Sequence, residues 1–332
     1  MEYLRSVVQQ DVALTASSQT DLIDLPVNPI SHILLTIRGR NDTGTLANYR
    51  LLQQFMDWVT NIEVLFKGQA IMAGSLQDLA MLNAVVTGFV PGFNQAQNTD
   101  NDFRACTFML SFSRVPYWKE EAFPASSRGE LQLRITTGAA PTGMDAAFMQ
   151  VETVELINVN PMRFLKYTAY TGTATATGEA DRDLPRGNPL VGTLLFGTTV
   201  QQVTASANTI ETVKLLVDNR EMYYSLTNWE TLHGELLRRI PPKMGWQGHF
   251  HNVGASATFL TVPADTDQPE FTEEGIERYA YLDFDPIRNN DFLLMTEGRG
   301  RVALRINYGV TDAMRFIPIE LVPVAGAQAA AA

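Results

Sequence analysis

The sequence predicts an all-β chain in which one structural unit is used twice, and three observations carry that prediction. Arg128 to Gly138 (RGELQLRITTG) returns as Arg299 to Gly309 (RGRVALRINYG), with six of eleven positions identical. Both copies alternate, with Leu131, Leu133 and Ile135 apolar in one and Val302, Leu304 and Ile306 in the other. Period-two alternation marks a strand with one buried face. Further echoes then follow in the same order along the chain, as an internal repeat requires. Asp24-Leu25-Pro26 and Asn28-Pro29-Ile30 return as Asp183-Leu184-Pro185 and Asn188-Pro189-Leu190, each running into a Leu pair (Leu34-Leu35, Leu194-Leu195). Met149 and Val154-Glu155-Leu156-Ile157 match Met314 and Ile319-Glu320-Leu321-Val322. Between these anchors, Leu65, Met72, Ser75, Leu76 and Leu82 match Leu215, Met222, Ser225, Leu226 and Leu232 at a constant shift of 150.

A chain of 332 residues is long enough for about two domains. The echoes divide it into an N-terminal arm (1–23), a first unit (24–159), a linker (160–182), a second unit (183–324) and a flexible tail (325–332). In the arm, Leu4, Val7, Val8, Val12 and Leu14 stand at near-helical spacing, which predicts a weakly amphipathic segment, either a frayed terminus or an arm that docks on a neighbouring subunit or a lipid surface. The arm lacks the apolar run of a signal peptide, and no stretch approaches a membrane span, so the reading is of a soluble globular protein. The linker centres on Tyr167 to Asp181, where Thr, Ala and Gly leave little to bury. A net charge of −11 argues against direct nucleic-acid coating, which needs clustered Lys and Arg. The one cysteine, Cys106, falls in a strand-like run and reads as a small buried hydrophobe.

Unit one begins with a strand at Ile33 to Arg38, and Leu46 to Val59 reads as a helix with Leu51, Leu52, Phe55, Met56 and Val59 on one side. A hairpin turns at Lys67-Gly68, and Ser75 caps a short helix carrying Leu76, Leu79, Leu82 and Val86. Unit two repeats this with a turn at Asp218-Asn219, Ser225 as the cap, and Leu226, Trp229, Leu232 and Leu236 on the helix. About twenty extra residues fall among Pro241 to Asn290. Short strands, long loops and one small helix per unit suit a Greek-key jelly roll, so the prediction is two tandem jelly-roll β-barrels with short accessory helices.

Chemistry has little to work with in this sequence. His249 and His251 could share a strand face, but no acid follows them at ligand spacing and no later His exists. The acids from Asp265 to Glu277 lack the spacing of a calcium loop. No phosphate loop or nucleophile elbow is present. No catalytic, cofactor or metal residues are therefore expected. Tyr117 and Trp118 in VPYWKEE, Trp246 in KMGWQG, and Phe250 are candidates for interface anchors, or else for plugs at the barrel ends.

With the duplication established, the sequence resembles the double jelly-roll major capsid proteins of tailless icosahedral bacteriophages with an internal membrane, of corticovirus or tectivirus type. The resemblance rests on Asp24 to His32 (DLPVNPISH), Arg220 to Arg239 (REMYYSLTNWETLHGELLRR), and Tyr281 to Pro286 (YLDFDP) leading to Gly300 to Ile306. It implies a structural protein with no enzyme activity and no cofactor. It further implies a homotrimer forming a pseudo-hexameric capsomer that tiles an icosahedral virion shell, assembled in the host cytoplasm. Partners would be other copies, vertex (penton) proteins, and an internal lipid membrane touched by the N-terminal arm. Two alternatives stay open at this point: a tandem β-sandwich enzyme or lectin such as a bicupin, and a minor spike or vertex protein of the same virion.

Overall fold

The computed structural model describes residues 2–14, 18–41, 52–89, 91–94, 101, 103–139, 144–200, 207–240, 251–252, 259–260, 276 and 278–324. Trp246, Phe250, His249 and the acids from Asp265 to Glu277 lie outside the described residues. The chain divides into two compact units, the first built on the residues up to Phe164 and the second on Leu165–Arg239 and Glu274–Pro323.

In the first unit the elements are β1 (Glu2–Leu14), β2 (Gln19–Asp24), β3 (Ile30–Asn41), α1 (Leu52–Trp58), β4 (Val59–Phe66), β5 (Gln69–Gly74), α2 (Leu76–Thr87), β6 (Gly92–Asn94), β7 (Phe103–Ser111), β8 (Leu131–Thr137) and β9 (Met144–Ile157). One sheet has the order β1-β9-β3-β7-β6, and β2, β8, β4 and β5 lie side by side in another. Every pair in both is antiparallel. Taking β1 to β5 and β7 to β9 as the eight successive strands, this interleaving of two four-stranded sheets is the jelly-roll topology. Strand β8 shows why the pattern was readable: Leu131, Leu133 and Ile135 are buried, and the residues between them are half-exposed.

Strand β10 (Arg163–Thr168) begins with the last two residues of the first unit, and the second continues with β11 (Tyr170–Thr173), β12 (Gly178–Asp183), β13 (Leu190–Gly197), β14 (Ile210–Val217), β15 (Arg220–Glu221), β16 (Thr227–Asn228) and α3 (Trp229–Arg239). After the isolated pair β17 (His251–Asn252) and β18 (Phe259–Leu260) come β19 (Tyr279–Asp283), β20 (Val302–Tyr308) and β21 (Ala313–Pro323). Strands β10 and β11 both flank β21, which continues to β13 and β19; the facing sheet is β12-β20-β14-β15. Side chains from both sheets, including Leu195, Leu215, Leu282, Leu304 and Phe316, meet in one core with Trp229 of α3.

The repeated sequence anchors hold equivalent corners. Leu25 N–H donates to the Leu131 carbonyl (3.0 Å) as Leu184 does to Val302 (2.9 Å). Leu156 N–H donates to Pro29 (2.7 Å) as Leu321 does to Pro189 (2.9 Å). Both hairpin turns have two left-handed residues, Lys67 (φ 50°) with Gly68 (φ 78°) and Asp218 (φ 50°) with Asn219 (φ 64°). Such turns match the twist of the flanking strands. The register sharpens one match: Val64 opposes Leu133, and Leu215 opposes Leu304. The counterpart of Leu215 is therefore Val64, one residue before Leu65.

Four local expectations are corrected. Residues 2–14 are not a helical arm but strand β1, paired with β9 from Glu2 opposite Ile157 to Leu14 opposite Ala147, with two bulges. Both faces of β1 are largely exposed, so the strand shows no alternation and its apolar spacing imitates a helix. Most of the stretch 160–182 is not linker but strand, because β11 pairs with β21 and β12 with β20. The small Thr and Gly of β11 let it lie along β21, while Asp181 and Asp183 of β12 pair with Arg305 and Arg301. Of Leu46 to Val59, Leu52–Trp58 is helical as expected, while Val59 begins β4 and the part before Leu52 lies outside the described residues. Ser75 caps α2 as expected, its hydroxyl accepting from Asp78 N–H. Ser225 does not cap α3, because Leu226 is left-handed (φ 53°) and Thr227-Asn228 pair with β14 before the helix begins at Trp229.

Gly192 in β13 is required by its neighbours. A Cβ there would lie 2.7 Å from the Leu282 carbonyl oxygen and closer still to the Tyr281 hydroxyl, on a ring that is 2% exposed. Gly192→Ala is expected to destabilise the protein by about 1–3 kcal/mol through overpacking. Gly234→Ala in α3, where a Cβ meets nothing within 4 Å, should not. Urea midpoints of the two variants decide the matter, and equal midpoints would refute the claim.

Candidate functional site

Of the four predicted interface aromatics, the structure describes Tyr117 and Trp118, which stand side by side between β7 and β8. Their loop is pinned to the start of β3. Phe112 N–H donates to the Ser31 carbonyl (3.0 Å), and Ile30 and Phe123 exchange both backbone hydrogen bonds. Tyr117 is left-handed (φ 68°), a conformation that costs energy for a residue with a Cβ. Its N–H donates to Ser31 Oγ (2.8 Å), which offsets that cost.

The two rings do different work. Tyr117 stays exposed and makes edge contacts with Tyr3 of β1 (centroids 5.4 Å apart) and with His32 of β3 (5.0 Å). His32 itself is buried. Its pKa is pushed down to about 4, chiefly by burial and secondarily by the charge of Arg5. Trp118 is half-buried, with the guanidinium carbons of Arg114 (5.8 Å) and Arg163 (5.6 Å) over its ring. Both arginines reach the Glu121 carboxylate, which is 0% exposed: Arg163 Nε donates at 2.9 Å, and Arg114 uses its Nε, a terminal nitrogen and its backbone N–H. Trp118 therefore roofs a buried Arg-Glu-Arg cluster, while Tyr117 belongs to the surface.

Near Tyr117, Val115 of the same loop and Tyr3 of β1 are exposed apolar residues, with the exposed charges of Arg5 and Lys119 beside them. The loop that follows β19 in the second unit repeats the feature with Ile287, Phe292 and Met295 exposed. Sequence reasoning missed these residues. Continuing the repeat through Phe112 and Phe284 places Val115 over Ile287, a signal that was available. These are single exposed apolar side chains set among exposed Asn289, Asp291 and Glu297, at loops that the repeat makes equivalent.

The outer face of β12, β20 and β14 is charged instead. Arg301 binds Asp181 (3.0 Å) and Asp183 (2.9 Å), Arg305 binds Asp181 (2.7 Å), and Lys214 binds Glu179 (3.2 Å). The hydrogen bond from Arg305 holds the Asp181 carboxyl below the usual carboxylate range. Among the described residues no group of three or more His, Cys, Asp or Glu is placed to hold a metal. His251 lies in the two-residue strand β17. Cys106 is buried in β7, opposite Ile37. No described helix is long and apolar enough to cross a membrane.

No protein-family model matches the chain, and no curated protein matches its sequence. Solved structures do match. The crystal structure of the STIV MCP aligns with a TM-score of 0.69 and 16% identity over 100% of both chains. A chain in the atomic structure of Sulfolobus Turreted Icosahedral Virus aligns with a TM-score of 0.66 and 15% identity, over 100% of this chain and 94% of that one. The major capsid protein P2 from bacteriophage PM2 gives 0.63 and 10%, over 98% and 99%. The chain thus has the double jelly-roll fold along its whole length.

Proposed function

We propose that this protein is the major coat protein of an icosahedral, membrane-containing virus, located in the virion shell. The observation that carries this reading is the coverage: capsid proteins of similar fold align with practically the entire chain, including both units. A duplicated barrel gives three copies six similar units, close to sixfold order, so a homotrimer can act as a pseudo-hexameric capsomer. Affinity between copies then comes from surface complementarity, for which Val115 and Tyr117 in one unit and Ile287, Phe292 and Met295 in the other are the exposed apolar candidates.

We also place the protein in a bacteriophage assembled in the host cytoplasm, on the motifs DLPVNPISH and YLDFDP. Vertex proteins would be further partners, and the acidic charge suits a shell that does not wrap nucleic acid. An internal lipid membrane would be a further partner through the N-terminal arm, a reading supported only by the exposure of Tyr3, Leu4 and Val7 on β1.

Purified protein should run as a trimer by light scattering and yield closed shells or sheets of capsomers by electron microscopy. A monomer that persists at high concentration would remove the proposal. Ile287→Asp, at an exposed position, should weaken assembly at least tenfold in critical concentration while leaving the melting temperature unchanged.

A further inference from the structure

The two units share a carboxylate corner, and only one of them places an amine on it. In the first, Glu155 accepts from Asn28 Nδ2 (2.8 Å) and from the hydroxyl of Ser6 on β1. In the second, Glu320 accepts from Asn188 Nδ2 (2.7 Å) on one oxygen and from Lys166 Nζ of β10 (2.8 Å) on the other. Glu320 is 4% exposed, and the Lys166 side chain is about two-thirds covered. A primary amine, a carboxamide and a buried carboxylate are therefore held on one group.

We propose that Lys166 and Asn188 join through an intramolecular isopeptide bond, with Glu320 as the base and acid that makes it. Glu320 takes a proton from the ammonium, and the freed Nζ lone pair attacks Asn188 Cγ. Glu320 then returns the proton to Nδ2, the Cγ–Nδ2 bond breaks, and ammonia leaves. The second proton lost by Nζ goes to that ammonia, so an ammonium ion departs and the carboxylate is restored. No oxidant or other reactant is required. Positioned general acid–base catalysis of this type supplies a large rate factor when the groups are already in place.

The corner is pre-organised for this step. The main-chain carbonyl of Asn188, not its side-chain amide, accepts from Thr296 Oγ1 (2.6 Å), whose oxygen in turn accepts from Gly187 N–H (2.9 Å), so the backbone that carries the carboxamide is fixed. The Pro189 carbonyl is tied to Leu321 N–H (2.9 Å), next to Glu320. Pro189 also removes an alternative. An asparagine loses ammonia by cyclising onto the following backbone N–H, and proline has none. The first unit serves as an internal control, because Ser6 stands where Lys166 would be and cannot form an amide.

The test is the intact mass of the full chain, purified natively and denatured before measurement. The expected mass falls short of the sequence mass by one ammonia, and a digest should contain a branched peptide joining Lys166 to Asn188. Lys166→Arg keeps the ion pair and should restore the full mass, as should Glu320→Gln. A full sequence mass in native protein after prolonged incubation would overturn the proposal. So would a deficit that survives in Lys166→Arg, which decides the question even if Glu320→Gln fails to fold. Shell assembly is scored separately by light scattering, so the bond can fail while the coat reading stands, and the reverse.

Discussion

Replacing Glu121 with glutamine is expected to lower the unfolding free energy by about 3–5 kcal/mol, the usual cost of removing one partner from a buried ion cluster. Glu121 is 0% exposed, and Arg114, 1% exposed, directs two side-chain donors and its own N–H at that one carboxylate. Glutamine keeps the size and loses the charge, so the buried Arg114 guanidinium loses the carboxylate on which its Nε, a terminal nitrogen and its own N–H converge. Water cannot easily take over, because Trp118 lies across both arginines. Replacing Glu121 together with the fully buried arginine, as Arg114→Met with Glu121→Leu, leaves only the part-exposed Arg163 of the cluster and should recover much of the loss. Denaturant unfolding of the single and double variants measures this. A single variant within about 1 kcal/mol of the parent would show that the cluster is solvated and its burial unimportant.

The second large effect depends on pH. The folded pKa of His32 is about 4, below the ordinary 6.5, because burial disfavours the charged ring and Arg5 opposes it. Unfolding therefore takes up a proton between those two values. The stability associated with neutral His32 is complete above about pH 6.5 and is lost as pH falls toward 4, in total roughly 3 kcal/mol. Asp181 and Glu152 titrate elsewhere: their folded pKa values lie below the usual carboxylate range, so their contributions survive until more acidic pH. His32→Gln should flatten the stability profile between pH 6.5 and about 4.5 while leaving the steeper acid limb in place. If parent and variant profiles run parallel through that window, His32 is not the titrating group.

The duplication was legible because its anchors are corner residues whose backbone groups have fixed partners. Asn188 and Pro189 repeat Asn28 and Pro29 because each pair meets the Glu and Leu of the last strand of its unit. The strands β8 and β20 were legible because one face of each is buried. Strand β1 was not, since residues exposed on both faces carry no period, and Leu4, Val7 and Val12 fit a helix as well as a strand. Strand β11 (YTGT) was hidden by its Thr and Gly content, and β12 (GEADRD) by its charges, which leave an edge strand without an apolar alternation. The one-residue misplacement of Leu215 arose because leucines at adjacent positions on two faces look alike until the partner strand is known. At the candidate site, Tyr117 and Trp118 were found together as aromatics, but their separate roles depend on Arg114, Glu121 and Arg163, which meet only through folding. Trp246 and Phe250 lie outside the described residues.

The pairing of β1 with β9 also bears on how the protein comes to be made. Glu2 must find Ile157, so the strand translated earliest in this barrel stays without its mate until nearly the whole barrel has left the ribosome. Contacts so distant along the chain close slowly. During that wait Tyr3, Leu4 and Val7 travel on an unmatched strand edge, the kind of surface that nascent chains use to stick to one another. For a protein synthesised in quantity, shielding of that first segment by a chaperone would govern yield more than the final stability of either barrel.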